Sequence, residues 1–114
     1  MKQTAIFQSL SDITRLRTLA LIAAEGELCV CELVQALDVS QPKISRHLSN
    51  MRDSGLLDAR RDAQWMYYFI RPDLPDWVQQ VVKAAVQGMA DTPETTADKA
   101  RLADMQNRPQ RCVA

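Results

Sequence analysis

The sequence is poor in the residues that catalysis and membrane insertion require. Its 114 residues include one histidine and three glycines, which leave no glycine-rich phosphate loop and no Ser/His/Asp constellation. No apolar run approaches the roughly 20 residues of a membrane span, and the first ten residues soon turn polar, unlike a signal peptide. The sequence predicts a protein that is not an enzyme, carries no catalytic cofactor and has no membrane partner.

An excess of charge of either sign is also lacking. The formal net charge is zero, so the molecule as a whole does not attract nucleic acid. The distribution is uneven, however. Residues 40–71 carry six basic and three acidic side chains, a net charge of +3, whereas the segments before and after carry −2 and −1. The positive charge gathers in one stretch, as expected of a nucleic-acid-binding surface, and a dimer would double it.

Cysteine is sparse, at three residues in 114. Cys29 and Cys31 lie close together, and Cys112 lies near the C-terminus. In a chain without a signal peptide, such cysteines are expected to be free thiols in a reducing cytoplasm. The length predicts one domain with a modest core.

Two amphipathic helices with a tight turn between them are predicted from Leu28 to Leu57. The apolar residues of each helix recur at helical spacing, and Ser40 and Pro42 suit the start of the second helix. Gly55 suits its end. The two apolar stripes are Val30, Leu33, Val34, Leu37 in the first helix and Ile44, Leu48, Met51 in the second. Two helices joined by such a turn form a helix-turn-helix.

The polar face of the second helix offers donors for DNA. Because the N-terminal residues of such a helix contact bases, the candidates for base edges are Gln41, Lys43 and His47. The candidates for phosphates, which position the protein without reading sequence, are Ser40, Ser45 and Arg46. A solvated polar face is the alternative interpretation of one basic helix.

A β-hairpin, the wing, is predicted to follow. Residues 56–61 and the aromatic, β-branched segment Trp65–Ile70 read as two strands, with residues 62–64 as the turn and Asp62 as its left-handed residue. Arg60 and Arg61 are candidate minor-groove or phosphate contacts, and Gln64 lies at the tip. Solvated hairpin charges are the alternative for either arginine.

The first and last long helices are predicted to form a homodimer interface. Residues 3–10 are too short to hold a helix alone, and the helix from Asp76 to Met89 is apolar around much of its girth. A well-buried terminal helix is the alternative for the latter. The predicted interface residues are Ile6, Phe7, Leu10, Trp77, Val81, Val82 and Ala85.

Between these elements, a helix is predicted with Ser11 as its N-cap and a buried stripe from Ile13 to Ala23, and it ends at Gly26. The domain is predicted to span residues 1–90, followed by a polar, flexible tail over 91–114 with a short helix up to Leu102.

Two motifs resemble a known family. SQPKISRHLSNMRDSGLL resembles the recognition region of the ArsR/SmtB winged-helix repressors, and ELCVCEL resembles the metalloid site of their arsenic-responsive ArsR branch. The resemblance implies a mainly α, winged helix-turn-helix fold. It also implies a homodimeric repressor that leaves double-stranded operator DNA when As(III) or Sb(III) binds. The sequence departs from the family where Val34 replaces a frequent third cysteine, where Ala63 lies near a usual glycine, and where Gln64 replaces a frequent basic residue.

The spacing of Cys29 and Cys31 constrains any site built on them. Residues i and i+2 of an α-helix point about 200° apart, whereas in an extended chain they share a face. Binding therefore requires an unwound helix start, in competition with the helical form that fits DNA. Thiolates select soft ions, and the family's inducer typically takes three sulfur ligands. Either the pair suffices, with a small thiol or solvent completing the coordination, or Cys112 of the same or the other subunit supplies the third sulfur. The alternative for Cys112 is an incidental thiol of the tail. The alternative is that both cysteines are small buried hydrophobic residues.

The leading hypothesis is a cytoplasmic repressor of an arsenic-resistance operon. A second hypothesis keeps DNA binding but makes the trigger redox, through crosslinks of Cys112, since cysteines one residue apart form disulfides poorly. A third is a winged helix that binds protein and not DNA.

Overall fold

The computed structural model describes residues 1–109, which form six helices and a three-stranded sheet. The elements in chain order are α1 Gln3–Ser9, α2 Ile13–Glu25, β1 Leu28–Cys29, α3 Val30–Leu37, α4 Gln41–Asp53, β2 Leu57–Asp62, β3 Trp65–Ile70, α5 Asp76–Ala90 and α6 Pro93–Ala103. Helices α3 and α4 are the predicted helix-turn-helix, and β2 and β3 are the predicted wing. No helix within residues 1–109 is both long enough and apolar enough to span a membrane.

The apolar stripes of the helices meet in one core. The stripe of α4 is fully buried at Ile44, Leu48 and Met51, and α3 buries Leu33 and Leu37. These side chains pack with buried residues of α1, α2, α5 and α6. Because the core takes one face of α4, the opposite face of that helix remains for solvent or DNA.

Helix α2 begins and packs differently from its prediction. Its N-cap is Asp12, whose carboxylate accepts a hydrogen bond from the Arg15 N–H at 3.1 Å, so the assignment of Ser11 was wrong. Leu19 and Ala20 of the predicted stripe are buried as expected, but Ile13 is 52% exposed, and Leu21 and Ile22 are buried in addition. Helix α2 lies against both α5 and α6, and two partners on different sides bury a wider face than one stripe.

The wing is antiparallel, with Asp62 paired to Trp65 across a two-residue turn. The left-handed residue is Ala63, with φ of 56°, and not Asp62 as predicted. Asp62 is still paired in the strand, so the positive φ that two-residue hairpin turns require falls on the first turn residue. Strand β1 adds to the other edge of β3, with Cys29 opposite Tyr67. The wing is thereby tied to the start of α3.

The segment after residue 90 is well packed where the structure describes it, which contradicts the predicted loose tail. Helix α6 buries Leu102 and Asp98, and the Asp98 carboxylate accepts hydrogen bonds from Arg17 Nε at 2.9 Å and Nη2 at 2.7 Å. Arg101 Nε donates to the Ala36 carbonyl at 2.6 Å. Hydrogen bonds and ion pairs of Asp98 and Arg101 thus hold α6 against α2 and α3, and a count of apolar residues does not reveal such contacts.

Candidate nucleic-acid interface and cysteine pair

The exposed face of α4 carries most of the predicted DNA contacts. Gln41, Lys43, Ser45 and Arg46 are all exposed. Ser40, also exposed, is the N-cap, and its carbonyl accepts the first helical hydrogen bond from the Ile44 N–H at 3.0 Å. The start of a helix with polar side chains and unsatisfied N–H groups is suited to phosphates and base edges.

His47 lies at the edge of this face and is held by α2. It is half-buried, and its Nδ1 lies 3.1 Å from Arg15 Nη1 and 3.9 Å from Asp12 Oδ1. Burial lowers the pKa of His47 below its usual 6.5, and the nearby Asp12 charge only partly offsets this. At neutral pH the His47 side chain is therefore uncharged and connects α4 to the start of α2. It is less available to bases than Gln41 or Lys43.

The two arginines of the wing have different surroundings. Arg60 forms a bidentate ion pair with Glu27, lies 3.8 Å from Asp62 Oδ2, and has its guanidinium carbon 4.9 Å from the centroid of the Tyr67 ring. The hydrogen bond to Glu27 raises the pKa of Arg60. Arg61 is exposed and forms no ion pair with any residue from 1 to 109. Arg61 is thus the wing cation that is available to DNA.

The two adjacent cysteines are brought together at the junction of β1 and α3. Cys29 is the N-cap of α3, with extended φ and ψ of −87° and 166°, and the helix begins at Val30. The sulfur atoms of Cys29 and Cys31 form a disulfide, with their Cα atoms 5.5 Å apart. The prediction that a helical turn must unwind to bring the sulfurs together was wrong, because Cys29 already lies outside the helix.

Glu32 fixes the backbone of this junction. It is fully buried, and its Oε1 accepts a hydrogen bond from the Cys29 N–H at 3.0 Å. Its Oε2 accepts one from Arg108 Nε at 2.6 Å, and Arg108 Nη2 lies 3.1 Å from Glu25 Oε1. Arg108 is therefore anchored beside the cysteine pair. Cys112 itself lies outside the described residues.

A cleft of about 370 Å³ joins the cysteine pair to both predicted DNA-reading elements. Cys29 is almost completely buried and Cys31 half-buried, and both line the cleft. Its other walls are Gln41 from the first turn of α4 and Gln64 from the turn of the wing, together with Val30, Trp65 and Met66. A ligand held by these sulfurs would touch the parts of the chain that would reach DNA.

The predicted dimer residues divide into two groups. Ile6 and Val82 are already buried within one chain. Phe7 is 55% exposed, and its ring centroid lies 6.5 Å from that of Trp77. The half-buried members of the set are Leu10, Trp77, Val81 and Ala85. An exposed aromatic side chain beside a partly covered one is typical of an apolar surface with a partner.

Sequence reasoning missed the buried polar residues that hold the site in place. Arg17 and Asp98 are 81 residues apart in the sequence, and Glu32 and Arg108 are 76 residues apart. Ion pairs over such separations leave no periodic pattern in one sequence. A possible signal for Glu32 was its position three residues after the helix N-cap, where a glutamate commonly bonds back to the cap N–H.

The chain was compared with known proteins. Residues 12–59 match the family described as bacterial regulatory protein, arsR family. The chain is 50% identical over 109 residues to arsenic resistance transcriptional regulator ArsR1 of Pseudomonas putida, covering 96% of this chain and 84% of that protein. It is 48% identical over 80 residues to the arsenical resistance operon repressor of Escherichia coli, covering 70% and 68%.

This chain belongs to the arsR family. Solved structures with a similar fold include the repressor BigR from Xylella fastidiosa, with a TM-score of 0.65 and 28% identity over 75% of this chain and 80% of that one. The antimony-specific repressor AntR gives a TM-score of 0.60 at 27% identity, covering 75% of each chain. The chain is accordingly a winged helix-turn-helix transcriptional repressor that binds DNA, and it is not an enzyme.

Proposed function

We propose that this arsR-family repressor controls an arsenic-resistance operon in the cytoplasm and leaves its operator when As(III) or Sb(III) binds Cys29 and Cys31. The printed functions of the relatives from Pseudomonas putida and Escherichia coli support the arsenic role. The observation that carries the proposal is the paired cysteine sulfurs in a cleft shared with Gln41 and Gln64.

The repressor acts on double-stranded DNA as a homodimer. Two copies of α4 would enter successive major grooves, each with Gln41 and Lys43 towards base edges and Arg46 towards phosphate. Arg61 would reach the adjacent minor groove or its phosphates. The dimer surface would include Phe7 and Trp77. Their rings form one partly exposed apolar patch, which supports this assignment.

Metalloid binding would compete with DNA through the geometry of the cleft. In the dithiol form, two thiolates at the start of a helix are stabilised by the N-terminal end of its dipole. A trivalent metalloid on these sulfurs would occupy the space between the first turn of α4 and the wing tip. The two DNA-reading elements would then be held at a spacing set by the ligand and not by the grooves.

Arsenite has three exchangeable positions, and Cys29 and Cys31 fill two of them. Within residues 1–109 no cluster of three His, Cys, Asp or Glu side chains could hold a metal ion. The third ligand would be Cys112 or a small cellular thiol. The Arg108–Glu32 ion pair favours Cys112 of the same chain, since Arg108 is anchored beside Cys29 and only three residues separate it from Cys112 in the sequence.

The experiment that tests this function is release of operator DNA by arsenite. Wild-type protein is bound to a labelled duplex from its own promoter, and arsenite is titrated under a phosphine reductant that does not bind arsenic. Release is expected for wild type, and a Cys29→Ser/Cys31→Ser double variant should bind DNA with unchanged affinity but resist release by at least about 100-fold more arsenite. Equal release from both proteins would exclude the cysteine pair as the trigger.

The disulfide favours a thiol-redox trigger as a second candidate function. Two thiols and hydrogen peroxide would give the Cys29–Cys31 disulfide and two molecules of water, entirely within one chain. Peroxide should then lower DNA affinity without a crosslinked dimer on a non-reducing gel, and the double variant should not respond. Unchanged DNA affinity in wild type after complete oxidation would exclude it.

A further inference from the structure

Helix α1 is attached by a hydrogen bond to α4, the helix that carries most of the predicted DNA contacts. Ser9 is the last residue of α1 and is almost fully buried, and its hydroxyl donates to Asn50 Oδ1 at 2.8 Å. Asn50 lies on α4, 41 residues away in the sequence. A buried polar contact of this kind restricts how two elements can lie against each other.

Arg15 of α2 makes a second connection between the same two helices. Its guanidinium donates from Nε to the Ser9 carbonyl at 2.6 Å, from Nη2 to the Gln8 carbonyl at 3.2 Å and from Nη1 to His47 Nδ1 at 3.1 Å. The two carbonyls lie at the C-terminal end of α1, and His47 lies on α4. Because the guanidinium is planar and its donors have a fixed geometry, the three bonds hold α1 and α4 in one relative position.

The bond from Arg15 also fixes which nitrogen of His47 carries the proton. An arginine side chain has donors only, so Nδ1 of His47 has to accept. The proton of the uncharged ring therefore lies on Nε2. This state is a spectroscopic signature of the contact between α2 and α4.

Helix α1 also carries part of the proposed dimer surface. Ile6 is buried in the core of its own chain, whereas Phe7 is 55% exposed beside Trp77. The helix has seven residues, too few to be stable alone, so its position depends on what packs against it. A second copy of the chain that covers Phe7 would therefore act on α1.

We propose that Ser9 and Arg15 are positioning residues through which dimerisation at α1 sets the orientation of α4 on DNA. This rests on the proposed homodimer and adds a route by which the partner copy affects DNA reading. Base edges are contacted only when α4 is correctly oriented, whereas the attraction to phosphates is independent of sequence and less sensitive to orientation. The loss of these contacts therefore weakens operator DNA more than other DNA.

The first test compares an operator duplex from the protein's own promoter with a non-operator duplex of equal length. Ser9→Ala and Arg15→Lys should each weaken operator binding about tenfold and leave non-operator binding within twofold of wild type. Both variants keep the charge of the protein, and lysine lacks the planar fork that holds three acceptors. Two controls should bind both duplexes like wild type: Thr4→Ala, which removes an exposed hydroxyl from α1, and Arg52→Lys on α4.

Loss of the fold or of the dimer has to be separated from loss of orientation. Each variant is assayed below its melting transition, and sedimentation equilibrium without DNA should give dimer dissociation constants within twofold of wild type. In wild type, ¹⁵N NMR of the imidazole at pH 8 should show His47 protonated on Nε2.

A double-mutant cycle tests the link to the partner copy. Phe7→Ala should weaken operator binding of the wild-type protein. The same change should weaken it at least about threefold less in the Ser9→Ala/Arg15→Lys background, because the route from the dimer surface to α4 is already interrupted there.

Equal weakening of operator and non-operator DNA by Ser9→Ala and Arg15→Lys, or no weakening of either, would overturn the inference and leave the proposed repressor intact. Additive effects in the cycle, or a His47 proton on Nδ1, would also overturn it. A wild-type protein that forms no dimer, or that does not prefer operator DNA, would remove the proposed function together with the inference.

Discussion

The two ends of helix α3 differ in how they are held. At its C-terminal end, Arg17 Nη2 donates to the Leu37 carbonyl at 2.7 Å and Arg101 Nε to the Ala36 carbonyl at 2.6 Å. Both cations satisfy carbonyls that a helix end leaves unpaired. At its N-terminal end, Cys31 faces an open cleft shared with the wing and α4. The contrast indicates that the C-terminal end of α3 is anchored to the core by two cations, whereas the N-terminal end, held by Glu32 and by β1, presents its cysteines to a cleft that a ligand can enter.

The largest expected effect is on the anchored end. Asp98 is 1% exposed and pairs with Arg17 and Arg101, so Asp98→Ala would leave the mostly buried Arg17 cation without its carboxylate. The free energy of unfolding should fall by about 3–5 kcal/mol. Urea unfolding at equal protomer concentration measures it, with the exposed Asp104→Ala as the control. A loss no larger than that of the control would show that the ion pairs of Asp98 with Arg17 and Arg101 do not stabilise the fold.

The next largest effect is expected on the exposed face of α4, which follows α3 in the chain and carries the predicted DNA contacts. Arg46→Ala should weaken operator binding about tenfold for all sequences and lower the slope of log K against log salt by about 2 for a dimer. Arg52 lies in the last turn of the same helix and is 3.4 Å from Asp58. Arg52→Ala, the matched control, should change neither quantity. Equal effects of the two variants would place DNA elsewhere on α4.

The wing offers a smaller and paired test. Arg61→Ala should weaken DNA binding by a few-fold, because its charge has no partner among residues 1–109. Arg60→Ala should change DNA affinity less, since Arg60 is already bound to Glu27. Fluorescence anisotropy with one duplex at two salt concentrations measures both. A larger loss for Arg60→Ala would mean that its ion pair with Glu27 opens on DNA.

The smallest expected effect is on how the free energy of unfolding depends on pH through His47, which connects α4 to α2. Because burial lowers the pKa of His47, the folded state binds fewer protons than the unfolded state below about pH 6.5. The contribution of His47 to stability should therefore be complete above that pH and should be lost as the pH falls through its folded pKa. Urea unfolding between pH 5 and pH 8 measures it, and His47→Gln should flatten this part of the curve. An identical curve for His47→Gln would contradict the assigned cause.

The sequence predicted the elements that follow a repeating pattern. The stripes of α3 and α4 and the aromatic strand Trp65–Ile70 all form where expected, because burial on one face imposes a period of 3.6 or 2. The cysteine pair was found for another reason, its resemblance to a known motif.

Contacts between distant residues were not predictable in the same way. The packing of α6 depends on Arg17, Arg101 and Asp98, charged residues that pattern reasoning assigns to the surface. The position of Cys29 outside α3 depends on the pairing of β1 with β3, and a two-residue strand is too short to show a period.

The most direct test of the account is where the chain responds when the cysteine pair is loaded. In ¹⁵N-labelled reduced protein titrated with arsenite, the side-chain amides of Gln41 and Gln64 and the indole of Trp65 should shift. The backbone amides of Leu37 and Asp98 should stay in place. Shifts confined to the Leu37 and Asp98 end, with Gln41 and Gln64 unmoved, would contradict the claim that ligand and DNA compete through the shared cleft.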